Sequence, residues 1–382
     1  MVLTPKIGDR YQQQHQTASP YTPITDHQAT SLSSCYDVSM YSIDTPAKVT
    51  NIDSQTTQVN QPSKSSRSSK WSIDDFNIGR LLGEGTFSKV ILVEEKKTGY
   101  LCALKIIKKE FICQYNQEHQ LIRELEIHMR LFHKHILRMY DFFYDSERIY
   151  IIIEYAPNDT LANYLKRHKQ LDNITSATYI YQLTDAIHYC HRLLIMHRDI
   201  KPENILLGQF MEIKLADFGL ALHCPSSRRT FSCGTMVKSD YMAPEVIESE
   251  DISNCLEQNS LLSSSTTSAT TVPTLSSRQT TPYEESADLW SLGVIAYELL
   301  EGQTPFYDLD VSMTKKRILN CDYSLPDTMN EYAKHFIHNL IKYNRQERLT
   351  TSEIVNHKWI EKFAKINFVN ETFSQYVTMN FK

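Results

Sequence analysis

The sequence predicts an α+β fold with two lobes, a small β-rich lobe followed by a larger α-helical lobe. Segments rich in Ile, Leu and Val come first and are broken by turns, as expected for strands at 76–84, 88–94 and 100–107. Later segments repeat their apolar residues at helical spacing, at 175–192, 286–301 and 330–342. The length of 382 residues accommodates both lobes and flexible tails. We therefore expect a ligand site between the lobes.

We expect the folded domain at 76–360, with the small lobe at 76–156 and the large lobe at 157–360. Residues 1–70 are rich in Gln, Ser, Thr and Pro without sustained periodicity, which predicts a disordered tail, and residues 361–382 form a C-terminal tail. A Ser/Thr-rich stretch at about 248–283 interrupts otherwise compact sequence. A tolerated surface insertion, a regulatory segment and an unspliced intron are all compatible with this stretch.

Bulk properties argue against several classes of protein. The net charge of −5 provides no global basic field that would attract nucleic acid. No apolar run approaches the roughly 20 residues that span a bilayer, and the N-terminus lacks the pattern of a signal peptide. The eight cysteines include no CxxC pair, which is typical of free thiols in a reducing compartment. We expect a soluble intracellular protein that binds neither nucleic acid nor a membrane directly.

The turn between the first two predicted strands has the composition of a phosphate-binding loop. Its glycines let the backbone close over phosphates where a Cβ would obstruct the approach. Alternation along the third strand puts Ala103 and Lys105 on one face, against the base and the α- and β-phosphates of a nucleotide. The residues that we expect around this nucleotide are Leu82, Gly83, Glu84, Gly85, Val90, Ala103 and Lys105, and further along the chain Glu154, Ala156, Glu203, Asn204 and Asp217.

The helix predicted at 117–132 carries a carboxylate on its inward face. Leu121, Glu124 and His128 fall on one stripe, at i, i+3 and i+7. A buried carboxylate needs a partner, and Lys105 is the obvious cation. We expect a Lys105–Glu124 ion pair, with a solvated glutamate as the alternative, and a core position for His128.

A short buried strand is predicted at 149–153, and the sequence EYAP follows it at 154–157. Ile153 would border the back of the nucleotide pocket. The backbone of Glu154 and that of Ala156 would then form hydrogen bonds with the edge of an adenine.

Residues 197–219, HRDIKPENILLGQFMEIKLADFG, are the most informative stretch of the chain. A carboxylate, an amide and a second carboxylate stand there at the spacing of enzymes that transfer the γ-phosphate of ATP to a hydroxyl. Asp199 would accept the substrate proton, and Lys201 would neutralise the migrating phosphoryl group. Asn204 and Asp217 would hold Mg²⁺ against the phosphates. Together with Lys105, this stretch predicts a kinase that uses ATP and Mg²⁺.

Four further residues near these motifs are predicted to support the site. His197 would stack in the core, and Arg198 would bind an anion on the loop that follows the second carboxylate. Glu245 closes that loop in the sequence Ala-Pro-Glu, and Arg348 is its expected buried partner.

Over roughly 75–362 the chain resembles the Aurora family of serine/threonine kinases. The PSSRR run before the activation site is a strong mark, because polo-like and calcium/calmodulin-type kinases share the catalytic residues but not this run. YDFFYD is closer to the chromosomal-passenger (B-type) members than to the spindle-pole (A-type) members. The motifs that carry the resemblance are EHQLIRELEI at 118–127, HILRMYDFFYD at 135–145, EYAP at 154–157 and HCPSSRRTFSCGT at 223–235.

The resemblance implies ATP- and Mg²⁺-dependent phosphorylation of Ser or Thr residues that follow arginines. Glu203 and Glu298 lie where such kinases hold the substrate arginine, Asp159 could assist, and Thr235 belongs to the substrate-binding surface. For Glu298 the alternative is an ordinary structural acid inside a helix.

The resemblance also implies a monomeric kinase domain with an activating partner on the small lobe, either the inner centromere protein or a spindle activator. The implied roles are chromosome segregation, spindle assembly or cytokinesis. The implied locations are the cytoplasm and nucleus, and in mitosis the spindle, centrosome, centromere or midbody.

The loop before the Ala-Pro-Glu sequence departs from the family pattern. Aurora kinases carry a phosphorylated threonine two residues before Cys-Gly, and this chain has Phe231 there. Thr230 and Ser232 flank that position, so we expect one of them to take the phosphate. The segment after Thr235 is also about three residues longer than the family spacing, which puts the substrate-docking surface in question.

Two other interpretations fit the sequence. An active arginine-directed kinase of another signalling family would share the catalytic residues and differ in peptide preference. A pseudokinase scaffold would bind partners without turnover, and Phe231, the lengthened loop and the insertion at about 248–283 favour it. Intact Lys105, Asp199, Asn204 and Asp217 argue against such a scaffold.

Overall fold

The computed structural model describes residues 71–85, 88–115, 117–223, 239–249 and 285–365. Their arrangement confirms the α+β fold, with a five-stranded antiparallel sheet in the small lobe and a large lobe that is mainly helical. The predicted N-terminal tail, nearly all of the Ser/Thr-rich stretch and most of the C-terminal tail lie outside the described residues. The activation-loop candidates Thr230 and Ser232 lie outside them as well, and so do Phe231 and the predicted substrate-binding residue Thr235.

The small-lobe sheet has the strand order β1-β2-β3-β5-β4, and every neighbouring pair is antiparallel. The predicted strands at 76–84, 88–94 and 100–107 are present, with ends shifted by at most one residue. Because β3 lies in the middle, Lys105 is held from both sides, opposite Val90 and Ile151. The strands are β1 (Phe76–Glu84), β2 (Ser88–Glu95), β3 (Leu101–Lys108), β4 (Met139–Tyr144) and β5 (Arg148–Glu154).

Two helices, α1 (Lys109–Gln114) and α2 (Glu118–Arg130), pack on this sheet. Leu121 and Leu125 of α2 are buried in a cluster with apolar residues of β3, β4 and β5. Burial of the apolar stripe fixes the rotation of α2, so that the polar residues of the same face point to the space between the lobes. The short elements α1 and β4 were not predicted from the sequence.

The large lobe is built around α4 and α6, which are buried over most of their length. Asp172 accepts a hydrogen bond from Thr175 N at 2.6 Å, and this N-cap starts α4 two residues before the predicted start. The helices of the large lobe are α3 (Leu161–His168), α4 (Asn173–Arg192), α5 (244–249), α6 (Ser286–Glu301), α7 (Val311–Leu319), α8 (Glu331–Leu340), α9 (Thr351–Val355) and α10 (Lys358–Phe363).

Two short antiparallel strand pairs position the loops at the top of the large lobe. β6 (Ile195–Met196) pairs with β9 (Leu222–His223), and β7 (Ile205–Leu207) pairs with β8 (Ile213–Leu215). The first pair ties the segment before Asp199 to the segment after Asp217. Two distant stretches of the chain are thereby brought side by side under the sheet.

Within the described ranges, no helix is both long enough and apolar enough to cross a lipid bilayer.

Candidate active site

A cavity of about 770 Å³ lies between the two lobes. Glu84 and Gly85 are not among the residues that line it: Glu84 forms a surface ion pair with Lys89 at 2.9 Å, and Gly85 N donates to Ser88 O at 2.8 Å. The other residues predicted to contact a nucleotide do line the cavity, namely Leu82, Gly83, Val90, Ala103, Lys105, Glu154, Ala156, Glu203, Asn204 and Asp217.

The roof of the cavity carries the ion pair that the sequence predicts. Lys105 Nζ lies 2.7 Å from Glu124 Oε1, and both side chains are mostly shielded from water. Burial on its own would lower the pKa of Lys105, but the negative charges of Glu124 and Asp217 outweigh it and hold this pKa above its usual value. The ammonium group is therefore a permanent cation at the centre of the cleft.

Asp217 stands below this cation and opens into the cleft. The charge of Lys105 and a hydrogen bond from Gly219 N to Asp217 Oδ1, at 3.3 Å, hold the pKa of Asp217 below its usual value, although the walls of the cleft partly desolvate the carboxylate. Its backbone has φ of 63°, in the left-handed region that L-residues rarely occupy. A non-glycine residue in this conformation is often found at a functional site.

The loop between β6 and β7 brings three predicted residues together. Lys201 Nζ donates to both carboxylate oxygens of Asp199, at 2.8 and 2.7 Å. Asn204 Nδ2 donates to Asp199 O at 2.9 Å and to Asp199 Oδ2 at 2.8 Å. Since the amide nitrogen of Asn204 is directed at Asp199, the amide oxygen is the atom available to a cation in the cleft.

Asp288 anchors this loop from below and was not singled out in the sequence. It is 1 % exposed and accepts hydrogen bonds from His197 N at 3.0 Å, from Arg198 N at 2.9 Å and from His191 Nε2 at 2.9 Å. Burial alone would raise its pKa, but these donors and the neighbouring histidine charges hold the pKa below its usual value. A single carboxylate inside the apolar run ADLWSLGV was the signal that could have identified it.

The predicted core histidines both pack against Phe218. His128 lies with its ring centroid 4.9 Å from that of Phe218, and its Nε2 lies 2.7 Å from Leu137 O. His197 meets the same phenyl ring edge-on at 4.8 Å, and its Nε2 lies 3.1 Å from Ala216 O. Burial lowers the pKa of His128 to about 4, so this ring is neutral at physiological pH.

The hinge segment, residues 154–157, connects the two lobes after β5, and its contacts limit which backbone atoms can bind an adenine. Glu154 N already donates to Arg138 O at 2.8 Å, so only its carbonyl can contact a nucleotide through the backbone. The Glu154 side chain is bound to Lys214 Nζ at 2.8 Å and to Arg138 N at 3.0 Å. These contacts fix the hinge to both lobes.

On the front of the large lobe, Glu298 accepts a hydrogen bond from Tyr241 Oη at 2.7 Å. Burial raises the pKa of Tyr241, and so do the negative charges of Glu298 and Glu203, which lie near it. Asp159 is engaged within its own chain, since Arg167 Nη1 lies 3.2 Å from its Oδ2. A substrate arginine at Asp159 would therefore have to displace Arg167.

The donor set in the cleft fits a hard cation held jointly with phosphates. Asp217 and Asn204 line the same cavity and offer a carboxylate and an amide oxygen, which Mg²⁺ prefers to nitrogen or sulfur ligands. Among the described residues, no group of three or more His, Cys, Asp or Glu side chains could hold a metal ion by itself. Few protein ligands are expected where nucleotide phosphates complete the coordination.

Glu245 lies in the first turn of α5 and has its expected partner in the large lobe. Arg348 Nη1 lies 2.6 Å from Glu245 Oε1, and Arg348 Nη2 lies 2.8 Å from Glu245 Oε2. The start of α5 is thereby fixed to the helical core. Arg198, predicted to bind an anion, donates from its Nε to Leu220 O at 2.8 Å.

Comparison with known proteins adds a family to this geometry. The protein kinase domain model matches residues 76–360. Aurora kinase C of Mus musculus is 40% identical over 305 residues, which cover 80% of this chain and 98% of that protein. Aurora kinase B-A of Xenopus laevis is 39% identical over 292 residues, covering 76% and 72% of the two chains. Aurora kinase A-A of the same organism is 37% identical over 310 residues, covering 81% and 68%. Because these three identities are nearly equal, they do not assign the chain to the A, B or C type.

Proposed function

This chain belongs to the Aurora family of protein kinases, and from that premise we propose that it phosphorylates Ser or Thr residues preceded by arginine, with Mg²⁺ as its cation. Membership makes it a serine/threonine protein kinase, an enzyme that uses ATP and a divalent cation. The observation that carries the proposal is that Lys105, Asn204 and Asp217 line one cavity and that Asn204 is hydrogen-bonded to Asp199 at its edge.

Asp199 orients the acceptor hydroxyl of the substrate and takes its proton. Lys201 holds both carboxylate oxygens of Asp199, so the side chain has one orientation in which to meet that hydroxyl. The ammonium group of Lys201 also places positive charge where the transferred phosphoryl group accumulates negative charge. Most of the rate gain then comes from alignment and charge neutralisation rather than from covalent catalysis.

Lys105 binds the α- and β-phosphates of ATP, and Glu124 keeps the lysine side chain directed at them. Asp217 and Asn204 hold the cation through a carboxylate and an amide oxygen. Bound Mg²⁺ would supply further neutralisation of the phosphate charge. The base lies against Ala103, Leu82 and Val90, and the hinge carbonyl of Glu154 and the backbone of Ala156 bind its edge.

Arginine preference is assigned to the acidic groups around Tyr241. Glu203 and Glu298 lie close enough to this buried phenol to raise its pKa together. Two carboxylates on the path of the substrate favour a guanidinium, which can form charge-assisted hydrogen bonds to both. Thr235 would complete the surface for the residue that follows the acceptor.

Activation is assigned to phosphorylation of Thr230 or Ser232, in place of the threonine that Phe231 replaces. Arg198 is the expected partner of that phosphate, because it follows His197 in the catalytic loop and belongs to the same segment as Asp199. A Thr230→Ala/Ser232→Ala double variant should lose most activity. Full activity of that variant would show that activation does not depend on a phosphate there.

Family membership further supports a role in chromosome segregation, spindle assembly or cytokinesis. We include in the proposal an activating partner on the small lobe, either the inner centromere protein or a spindle activator. The corresponding locations are the spindle, centrosome, centromere or midbody in mitosis. A tagged chain imaged through division, with and without Asp199→Asn, tests both the location and its dependence on activity.

The deciding experiment measures phosphate transfer from ATP and Mg²⁺ to an Arg-Arg-x-Ser peptide. The matched controls are the Asp199→Asn variant and a peptide in which both arginines are alanine, and the products are mapped by mass spectrometry. We expect turnover that disappears in the variant and falls sharply with the second peptide. Equal turnover of both peptides would refute the arginine preference, and nucleotide binding without turnover would favour a scaffold.

A further inference from the structure

Three side chains of α2, spaced four residues apart, face the segment 217–219: two contact it directly, and the third acts on it through Lys105. Gln120 Nε2 donates to Gly219 O at 2.9 Å, one turn before Glu124. Glu124 binds Lys105, whose charge acts on Asp217. His128, one turn after Glu124, packs on the ring of Phe218. Gln120 is the one of these three residues for which the sequence patterns indicated no role.

The hydrogen bonds of Gly219 connect Gln120 to Asp217. Its carbonyl oxygen accepts from Gln120, while its N–H donates to Asp217 Oδ1 at 3.3 Å. The two hydrogen bonds involve the peptide units on either side of the Gly219 α-carbon. When Gln120 holds Gly219 in place, it therefore also positions the N–H that binds the Asp217 carboxylate. Charge from Lys105 also attracts Asp217, but a point charge gives little directional control.

Close packing leaves little freedom in this connection. A Cβ added at Gly219 would lie 3.1 Å from Asp217 Oδ1 and 3.3 Å from Glu124 Oε2, tighter than ordinary contact. The glycine therefore lets α2 and the 217–219 segment approach each other. The side-chain amide of a half-buried glutamine can bridge the remaining distance with a good hydrogen bond.

We propose that Gln120 is a positioning residue that sets the cation-binding carboxylate of Asp217 through the backbone of Gly219. This inference rests on the proposed function, in which Asp217 holds Mg²⁺. It predicts that loss of the Gln120 donor weakens the cation-dependent part of nucleotide binding. The base and hinge contacts do not involve Gln120, so binding without cation is left unchanged.

Two substitutions at Gln120 separate hydrogen bonding from packing. Gln120→Met keeps length and removes the donor, and Gln120→Glu keeps shape but presents an acceptor to a carbonyl oxygen. Both should reduce the Mg²⁺-dependent gain in ADP affinity, by about fivefold for Met and by more for Glu. The affinity measured in EDTA and the melting temperature should match the wild type.

Isothermal titration calorimetry of the full chain with ADP, in Mg²⁺ and in EDTA, measures both affinities without relying on catalysis. Gln114→Met is the matched control, because it makes the same change at an exposed glutamine at the end of α1. A wild-type Mg²⁺-dependent gain in Gln120→Met would overturn the inference. An equal loss of affinity in Mg²⁺ and in EDTA would also overturn it, because the residue would then act on the whole cleft.

Asp217→Asn distinguishes failure of this inference from failure of the proposed function. If Asp217→Asn loses the Mg²⁺-dependent gain while the Gln120 variants keep it, only the positioning role is wrong. If Asp217→Asn keeps that gain, Asp217 is not the cation ligand, and both the assignment of Asp217 and the inference fail.

Discussion

Two ion pairs in this molecule join residues far apart in the chain, and they differ in what surrounds them. Lys105 and Glu124 meet through one contact of 2.7 Å at the wall of the cleft, with side chains 22% and 12% exposed. Arg348 and Glu245 meet through two contacts, of 2.6 and 2.8 Å, and the Arg348 side chain is 0% exposed. Arg348 also donates to Ser286 O at 2.9 Å and to Lys342 O at 2.9 Å.

The difference shows how a structural pair can be distinguished from a functional one. The Arg348 guanidinium binds one carboxylate with two nitrogen atoms, donates to several carbonyls and lies 5.0 Å over the ring of Trp290. Its hydrogen bonds are therefore all made inside the protein. The Lys105 ammonium faces a second carboxylate, Asp217, and an open cavity. We infer that the first pair stabilises the fold and the second serves the ligand.

The largest expected effect is a loss of stability when the Arg348–Glu245 pair is broken. Arg348→Met should lower the free energy of unfolding by about 3–5 kcal/mol, because it leaves Glu245 and several carbonyls without their donor. Urea unfolding measures the loss, and Glu245→Gln with the double variant completes the cycle. A change below about 1 kcal/mol would contradict the structural role.

Breaking the pair at the cleft should affect activity instead. Lys105→Met should reduce kcat by about 10²–10³-fold, as when one charge-stabilising group is removed from an active site. The free energy of unfolding should fall by only about 1 kcal/mol, since water in the cleft can solvate Glu124. Phosphotransfer and urea unfolding of the same preparation give both numbers. A loss of stability as large as that of Arg348→Met would erase the distinction.

Asp288 tests whether a buried carboxylate that is hydrogen-bonded inside the protein also contributes to activity. It accepts three hydrogen bonds, two of them from the loop that carries Asp199, where Arg198 has φ of 68°. Asp288→Asn keeps the shape but turns a donor toward donors, so stability should fall by about 2 kcal/mol.

Release of the strained loop in Asp288→Asn should also lower kcat, by about tenfold, with the KM for ATP little changed. The neutral change Asp308→Asn, at a turn of the large lobe away from the catalytic loop, is the control. Unchanged kcat in Asp288→Asn would limit this residue to a structural role.

The smallest expected effect is on the pH dependence of stability, through His135, a buried residue that belongs to neither ion pair. Burial, with help from the positive Lys134, lowers the pKa of His135 to about 3. Below about pH 6.5, His135 is protonated in the unfolded chain but stays neutral in the folded protein. The free energy of unfolding therefore decreases as the pH falls below about 6.5. Between pH 7 and 5.5 the loss should be about 1 kcal/mol.

His135→Asn should remove that part of the acid sensitivity, measured by urea unfolding at both pH values. The same slope should persist in Lys105→Met, because His135 contacts Ile213 O and not the cleft pair. An unchanged slope in His135→Asn would place the acid sensitivity elsewhere.

The sequence predicted most of the elements because their patterns are local. The predicted helices at 117–132, 175–192, 286–301 and 330–342 are present, with ends that differ by at most two residues. The side-chain caps Asp172 and Asn330 fix where α4 and α8 start. The elements that were missed are short, among them α1, α3, α7 and β4, and few residues carry too little periodicity to distinguish a helix or strand from a loop.

The sequence by itself singled out the groups to which we assign the chemistry, because a carboxylate, an amide and a lysine at fixed spacings suit phosphoryl transfer to a hydroxyl. The pair Lys105–Glu124 could also be inferred, since a carboxylate on an apolar helix face requires an opposite charge, and Arg348 was expected as the partner of Glu245. Only the tertiary structure decided the contacts of Gln120, Asp288 and Asp159. Their partners are separated from them by helices and loops, and side-chain direction in three dimensions chooses among many candidate donors. Sequence patterns carry local periodicity and the need for a partner, whereas packing alone selects the partner.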